Sequence, residues 1–277
     1  MTTYTAEVRL VIAALCVLLL RPVSAAPVQV DRHAPFDRIL DTYVRDGFVY
    51  YRALRLERAA LDRYVASLNV PAATVAAWPA AEQQAFWINA YNALVLRTVI
   101  NAYPIKGKSA DYPPGSIRQI PGAFDRITHA VGGGSLTLDE IESKTLAGFG
   151  DARLLLALGR GARGSPRLRS EAYRAGRLEQ QLADVVKECA ARAVCTRVDR
   201  SANTLEVTPI VGWHEALFVK TFSTGGQMWA NRAPVERAVA AMIYPHVFPG
   251  EREVLALNTF RVTYTGFDWG LNDLAVR

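Results

Sequence analysis

The segment Phe86 to Ile100 is apolar apart from Asn89, Asn92, Arg97 and Thr98. A helix that is apolar on every side belongs inside a protein, so the chain is expected to fold around this segment. Pro79 suits the start of such a helix and Pro104 ends it. At 3.6 residues per turn Asn89 and Asn92 fall about 60° apart, on one stripe. A buried amide without partners costs about 1–3 kcal/mol, so each needs a defined one. Either an internal network that fixes loops against the helix or a ligand can supply it. Trp87 and Tyr91, one turn apart on a neighbouring stripe, carry polar tips with the same requirement.

The first residues have a different character. A basic start, an apolar run from Leu10 to Leu20 and a Val23-Ser24-Ala25 ending read as a secretory signal peptide over residues 1–25, too short to span a bilayer comfortably. Cys16 lies inside the apolar run behind Ala-Ala-Leu, which argues against a lipid anchor. An exported chain, periplasmic or secreted and without a transmembrane segment after cleavage, is therefore expected. Removal of Glu7, Arg9 and Arg21 takes the formal net charge from +6 to +5. That mild excess comes without a run of like charges, so a nucleic-acid partner is not expected. Cys189 and Cys195 are the cysteines left, and an oxidising compartment favours their pairing in a short loop.

No repeat, low-complexity block or Gly/Ser linker divides residues 26–277, which are expected to form a single domain. Phe36, Ile39, Leu40 and Tyr43 are spaced for one helical face within His33 to Arg45, and Leu54 to Leu68 is amphipathic. Lys106 to Gly122 reads as a Pro- and Gly-rich loop. A hairpin is expected from Phe124 to Leu138 across Gly132-Gly133-Gly134, followed by a helix opened by Thr137 and Glu140 as a capping box. Leu154 to Leu158 reads as a buried strand and Arg177 to Ala193 as a helix. A second hairpin, Thr196 to Val207, precedes helices over Val211 to Phe222 and Ala233 to Ile243 and a last strand over Thr259 to Thr265. Together these imply an α+β fold, helix-rich, with a central buried helix and a small, mainly antiparallel sheet.

Gly159-Arg160-Gly161-Ala162-Arg163-Gly164 matches the dinucleotide-binding G-x-G-x-x-G. Ser165-Pro166 follows where a helix should run, and the motif lies deep in the chain, so a nicotinamide site is not expected. Arg160, Arg163, Ser165 and Arg167 nonetheless mark a Gly-rich loop that is either an anion-binding nest or a solvated basic loop. The histidines lack metal-ligand spacing, and no nucleophile elbow is present. His214 could act as an acid or base, although a lone histidine on a helix is more often structural. No cofactor and no metal are expected.

Phe86-Trp-Ile-Asn-Ala-Tyr-Asn-Ala-Leu, then Tyr103-Pro104-Ile105-Lys106, resembles the signature of the family called domain of unknown function 547. The likeness continues through Leu136 to Glu142, Leu154 to Pro166, Glu171-Ala-Tyr-Arg, Leu178 with Gln181-Leu182, Trp213, and Phe267-Asp268-Trp269-Gly-Leu-Asn272. Members usually carry Asn-Cys after the apolar run, a second Cys before the Pro and a His after the Ile-Glu, as a thiol nucleophile and its base require. Here Gly159-Arg160, Ser165 and Ser143 stand at those places. An arginine is always charged and is no nucleophile, so thiol chemistry is lost.

The expectation that follows is an exported, catalytically degenerate module that binds an anionic small molecule or envelope component through Arg160, Arg163, Ser165 and Arg167. Trp87, Tyr91, Trp213, Trp269 and Asn272 would form its structural network. The alternative is a hydrolase using carboxylates such as Asp139, Glu142 and Asp268, with Asn89 and Asn92 positioning the substrate. A third reading is a structural or interaction protein of the cell envelope. A pocket uniting Asn89, Asn92, Glu142 and Trp269 would favour the enzyme, and an arginine-lined groove the binding module.

Overall fold

The helix α5, Ala80–Ala102, runs through the centre of the fold with Pro79 as its N-cap, and Ala85 to Leu96 and Thr98 to Ile100 are buried along it. The computed structural model describes residues 31–223 and 227–274. The expected signal peptide lies outside them. From His33 onward the chain forms one compact unit.

Before α5 come α1 (Ala34–Tyr43), the strands β1 (Val44–Arg45) and β2 (Phe48–Val49), and the helices α2 (Tyr51–Leu56), α3 (Ala59–Ser67) and α4 (Ala72–Ala76). The apolar face of α1 buries Phe36, Ile39, Leu40 and Tyr43, as its spacing requires. Asp46 and Gly47, at φ 48° and 86°, turn the chain so that Val44 pairs with Val49. Two successive positive-φ residues make the tight hairpin turn that Asp-Gly favours. The expected helix from Leu54 to Leu68 is broken at Glu57 and Arg58, and α2 and α3 each pack on α5.

After α5, β3 (His129–Val131) and β4 (Gly134–Leu136) form the expected hairpin, shorter than its apolar residues implied, with Val131 opposite Gly134. Thr137 then caps α6 (Leu138–Glu140): its hydroxyl accepts from the Glu140 N–H at 3.2 Å, and its own N–H donates to Glu140 Oε2 at 3.1 Å. The helix continues as a π-helical stretch over Ile141–Leu146, a widened turn often found at functional sites.

The strand expected at Leu154–Leu158 is instead a helical turn, α7 (Arg153–Leu156). A short, wholly buried apolar run has no period to distinguish the two. This run holds Leu and Ala, good helix formers, and no β-branched residue.

The last part comprises α8 (Leu178–Ala191), β5 (Thr196–Asp199), β6 (Thr204–Val207), α9 (Pro209–Trp213), α10 (Glu215–Phe222), α11 (Pro234–Ile243), α12 (Pro249–Leu257) and β7 (Arg261–Tyr264). β5 and β6 pair antiparallel, and β7 adds to β6 in parallel, with Thr204 opposite Arg261. The architecture is α+β, helices with small sheets that are antiparallel apart from that one pairing. Cys189, near the end of α8, is bonded to Cys195 just before β5, their Cα atoms 5.1 Å apart. No described helix is long and apolar enough to cross a membrane.

Candidate functional site

The two amides of α5 are satisfied by backbone. Asn89 donates to the Tyr173 carbonyl at 2.8 Å and accepts from the Tyr173 N–H at 2.9 Å. Asn92 donates to the Ala157 carbonyl at 3.1 Å and accepts from the Gly159 N–H at 2.8 Å. The central helix thus clamps the segment that carries Arg160, and neither amide opens onto a cavity lined by Glu142 and Trp269.

Arg160 is 1% exposed, one of the largest buried side chains in the fold. Its guanidinium meets Glu142 with Nη2 donating to Oε1 at 2.7 Å and Nε to Oε2 at 3.1 Å. The widened turn over Ile141–Leu146 delivers that carboxylate. Tyr91 donates its hydroxyl to Oε2 at 3.0 Å, and His214 Nε2 lies 3.0 Å from Oε1. Burial alone would raise the Glu142 carboxyl; the charge of Arg160 and hydrogen bonds from His214 and Arg160 outweigh it and hold the group down to about 2. Burial, with the Glu142 charge next, pushes the Tyr91 hydroxyl well above its ordinary value.

Glu142, Arg160 and His214 line a cleft of about 260 Å³ together with Arg118, Phe124, Trp213 and Trp269. Arg118 rides on a short 3-10 turn, Ile117–Gln119, capped by Ser116. Gln119 pins the Pro- and Gly-rich loop behind it, donating to the carbonyls of Ser109 and Tyr112 at 2.8 Å each. The Arg118 guanidinium carbon lies 4.4 Å from the Phe124 ring centre and 4.3 Å from that of Trp269. Its Nε is buried without a hydrogen-bond partner among the described residues. Trp213 stacks on Trp269 with centroids 6.2 Å apart and is 46% exposed at the mouth. Asp139 and Ser143 complete the rim. Partial desolvation raises the Asp139 carboxyl, with Arg118 opposing it and Glu142 adding to it. Ser143 donates its hydroxyl to the Asp139 carbonyl at 2.6 Å.

The loop arginines read from the sequence do not form one patch. Arg160 turns inward to Glu142, and its N–H donates to the buried Ser165 hydroxyl at 3.0 Å. Arg163 donates Nε to the Leu271 carbonyl at 3.3 Å, and Arg167 pairs with Glu188 at 2.5 Å. Asp268 lies outside the cleft lining, accepting from the Gly270 N–H at 2.7 Å and, through its carbonyl, from the Gly164 N–H at 2.8 Å. Trp87 packs its ring on Phe86 and against Gly132. Asn272 accepts from the Tyr51 hydroxyl and donates to the Gly47 carbonyl, both at 2.8 Å. Trp213 and Trp269 stand apart from these two, in the cleft wall.

Two residues of the cleft were not among the sites read from the sequence. Arg118 was not singled out, and His214 was weighed as an acid or base against a structural histidine; the fold brings both together with Glu142. A larger groove of about 550 Å³ lies along α1 and α3, but the Tyr43 hydroxyl and Glu57 carboxylate in it already bond each other at 2.5 Å. Among the described residues, no group of three or more His, Cys, Asp or Glu side chains could hold a metal ion.

No curated protein and no solved structure matches the chain. Residues 75–188 match a family model described as protein of unknown function, DUF547. Ser143 and Arg160 line the cleft, and Ser165 lies directly behind Arg160. That segment, which runs from the end of α4 to the last turns of α8, carries the likeness to the DUF547 family.

Proposed function

We propose that this is an exported binding module for a small anionic ligand, held by Arg118 in the cleft between Trp269 and His214. The observation that carries this reading is the state of Arg118. Its guanidinium packs against two aromatic rings, with no carboxylate among the described residues paired to it. A cation–π contact leaves N–H donors of the guanidinium for hydrogen bonds, and a guanidinium binds carboxylate or phosphate in a bidentate way.

The other cation of the cleft, Arg160, is neutralised by Glu142, which leaves Arg118 to attract the anion. At about 260 Å³ the cleft falls below the roughly 300–1,000 Å³ of ordinary ligand pockets, so a compact molecule fits best. Trp213 and Trp269 offer apolar faces beside the charge, which suits a ligand with a flat or ring-shaped body. Export rests on the N-terminal sequence, and the Cys189–Cys195 bond suits an oxidising compartment.

The test is calorimetric titration and thermal shift of the mature chain with acetate, benzoate, glucuronate, inorganic phosphate and glucose 6-phosphate. A ligand at 100 times its Kd should stabilise the fold by about 2.7 kcal/mol. Arg118→Met should abolish the shift and Arg163→Ala should leave it. Anion binding that survives Arg118→Met, or no binding of any member of the panel, would overturn the assignment.

A further inference from the structure

We propose that His214, held in place by Glu142, is a general base with which this cleft hydrolyses carboxylic esters that carry an anionic group. The proposal rests on anion binding by Arg118, which would place such an ester beside the histidine.

Four observations support it. α9 ends at Trp213 and α10 starts at Glu215, so His214 sits at the break with φ −131° and ψ 35°. The break places Trp213 and His214, adjacent in sequence, both in the cleft. The Nε2 atom is 3.0 Å from Glu142 Oε1, while Nδ1 has no hydrogen-bond partner among the described residues. An imidazole with one nitrogen fixed by a buried carboxylate and the other free is the arrangement of a general base and its orienting group. Glu142 itself is already engaged, because Arg160, Tyr91 and His214 occupy both its oxygens. It is therefore a positioning residue. Finally, the Ser143 hydroxyl bonds its own helix at the Asp139 carbonyl, so water is the nucleophile of choice.

The reaction balances without a co-reactant. His214 Nδ1 takes a proton from water as the water oxygen bonds to the ester carbonyl carbon. The carbon–oxygen bond to the alcohol then breaks, and the imidazolium returns its proton to the departing oxygen. The products are a carboxylic acid and an alcohol, and nothing is oxidised or reduced.

The experiment compares hydrolysis of mono-4-nitrophenyl succinate with that of neutral 4-nitrophenyl acetate by the mature chain, with binding of monomethyl succinate measured in parallel. The expected result is turnover that favours the anionic ester. Arg118→Met should raise KM for that ester alone. His214→Ala, checked by circular dichroism for native fold, should lose about 10²–10⁴ in kcat and recover activity with added imidazole. Glu142→Gln should lower kcat with KM little changed, and Glu142→Asp should restore part of it. No turnover while monomethyl succinate binds would overturn the hydrolase and leave the binding site standing. Equal turnover of both esters, unchanged by Arg118→Met, would overturn the substrate class together with the binding reading. Wild-type activity in His214→Ala would overturn the role of the histidine.

Discussion

Arg160 and Glu142 meet through two parallel hydrogen bonds, 2.7 and 3.1 Å long, with the arginine 1% exposed. Removing one member of such a pair strands a charge away from water, which typically costs about 3–5 kcal/mol. Arg160→Met should lower unfolding free energy in urea by about that amount. The double variant Glu142→Leu with Arg160→Met should recover most of the loss, since apolar groups can replace a buried pair at little cost. Wild-type stability in the single variant would contradict this account.

The Glu142 carboxyl is held at about 2 against an ordinary 4.5. Protons then bind the unfolded chain more readily, so stability rises with pH across this window. The contribution is fully present above pH 4.5 and is lost as pH falls toward 2; it amounts to about 3 kcal/mol. Arg160, His214 and Tyr91 face the group, and Asp139 nearby, raised by desolvation, acts in the opposite sense. Stability followed from pH 6 to pH 2 should therefore fall less steeply in Glu142→Gln than in the wild type. Parallel curves would show that this carboxylate does not titrate as described.

Asn92 satisfies one buried carbonyl and one buried N–H of the segment that leads into Arg160. Asn92→Ala would leave both without partners and should cost about 2–4 kcal/mol. Asn89→Ala, which strands the two backbone groups of Tyr173, should cost a similar amount. Chemical denaturation of each variant provides the check, and a loss below about 0.5 kcal/mol in either would mean that water replaces the amide.

Gly164 lies against backbone. A Cβ there would sit 2.6 Å from the Asp268 nitrogen and 3.0 Å from its oxygen. Neither atom can swing aside as a flexible side chain would, so Gly164→Ala should push the segment around Trp269 outward. Tryptophan fluorescence should change and anion affinity should fall, although no charge is altered. Gly148→Ala, whose Cβ meets nothing within 4 Å, is the control and should leave both unchanged.

The fold was readable where one physical rule acted alone. The all-round apolar character of α5, the one-face spacing of α1 and the Thr137 capping box each led to the observed element. Leu154 to Leu158 was misread as a strand because buried chain of either kind looks uniformly apolar. The parallel addition of β7 to β6 was invisible, since four α-helices and a 3-10 turn separate the two strands. For the site, Asn89 and Asn92 were correctly singled out as amides that need partners, while which partners they take depends on residues 65 to 84 positions away. The arginines of residues 160–167 share a loop but turn to different acceptors, because burial and a carboxylate within reach decide where a guanidinium points. Arg118 carries no local signal: the rings that flank it come from Phe124 and from Trp269 near the other end of the chain.

The matched family segment ends at residue 188, yet the cleft does not. Arg118, Glu142 and Arg160 come from within that segment, while Trp213, His214 and Trp269 come from beyond it. A change beyond residue 188 can therefore alter what this cleft offers to solvent while the buried pair of Arg160 and Glu142 stays as it is.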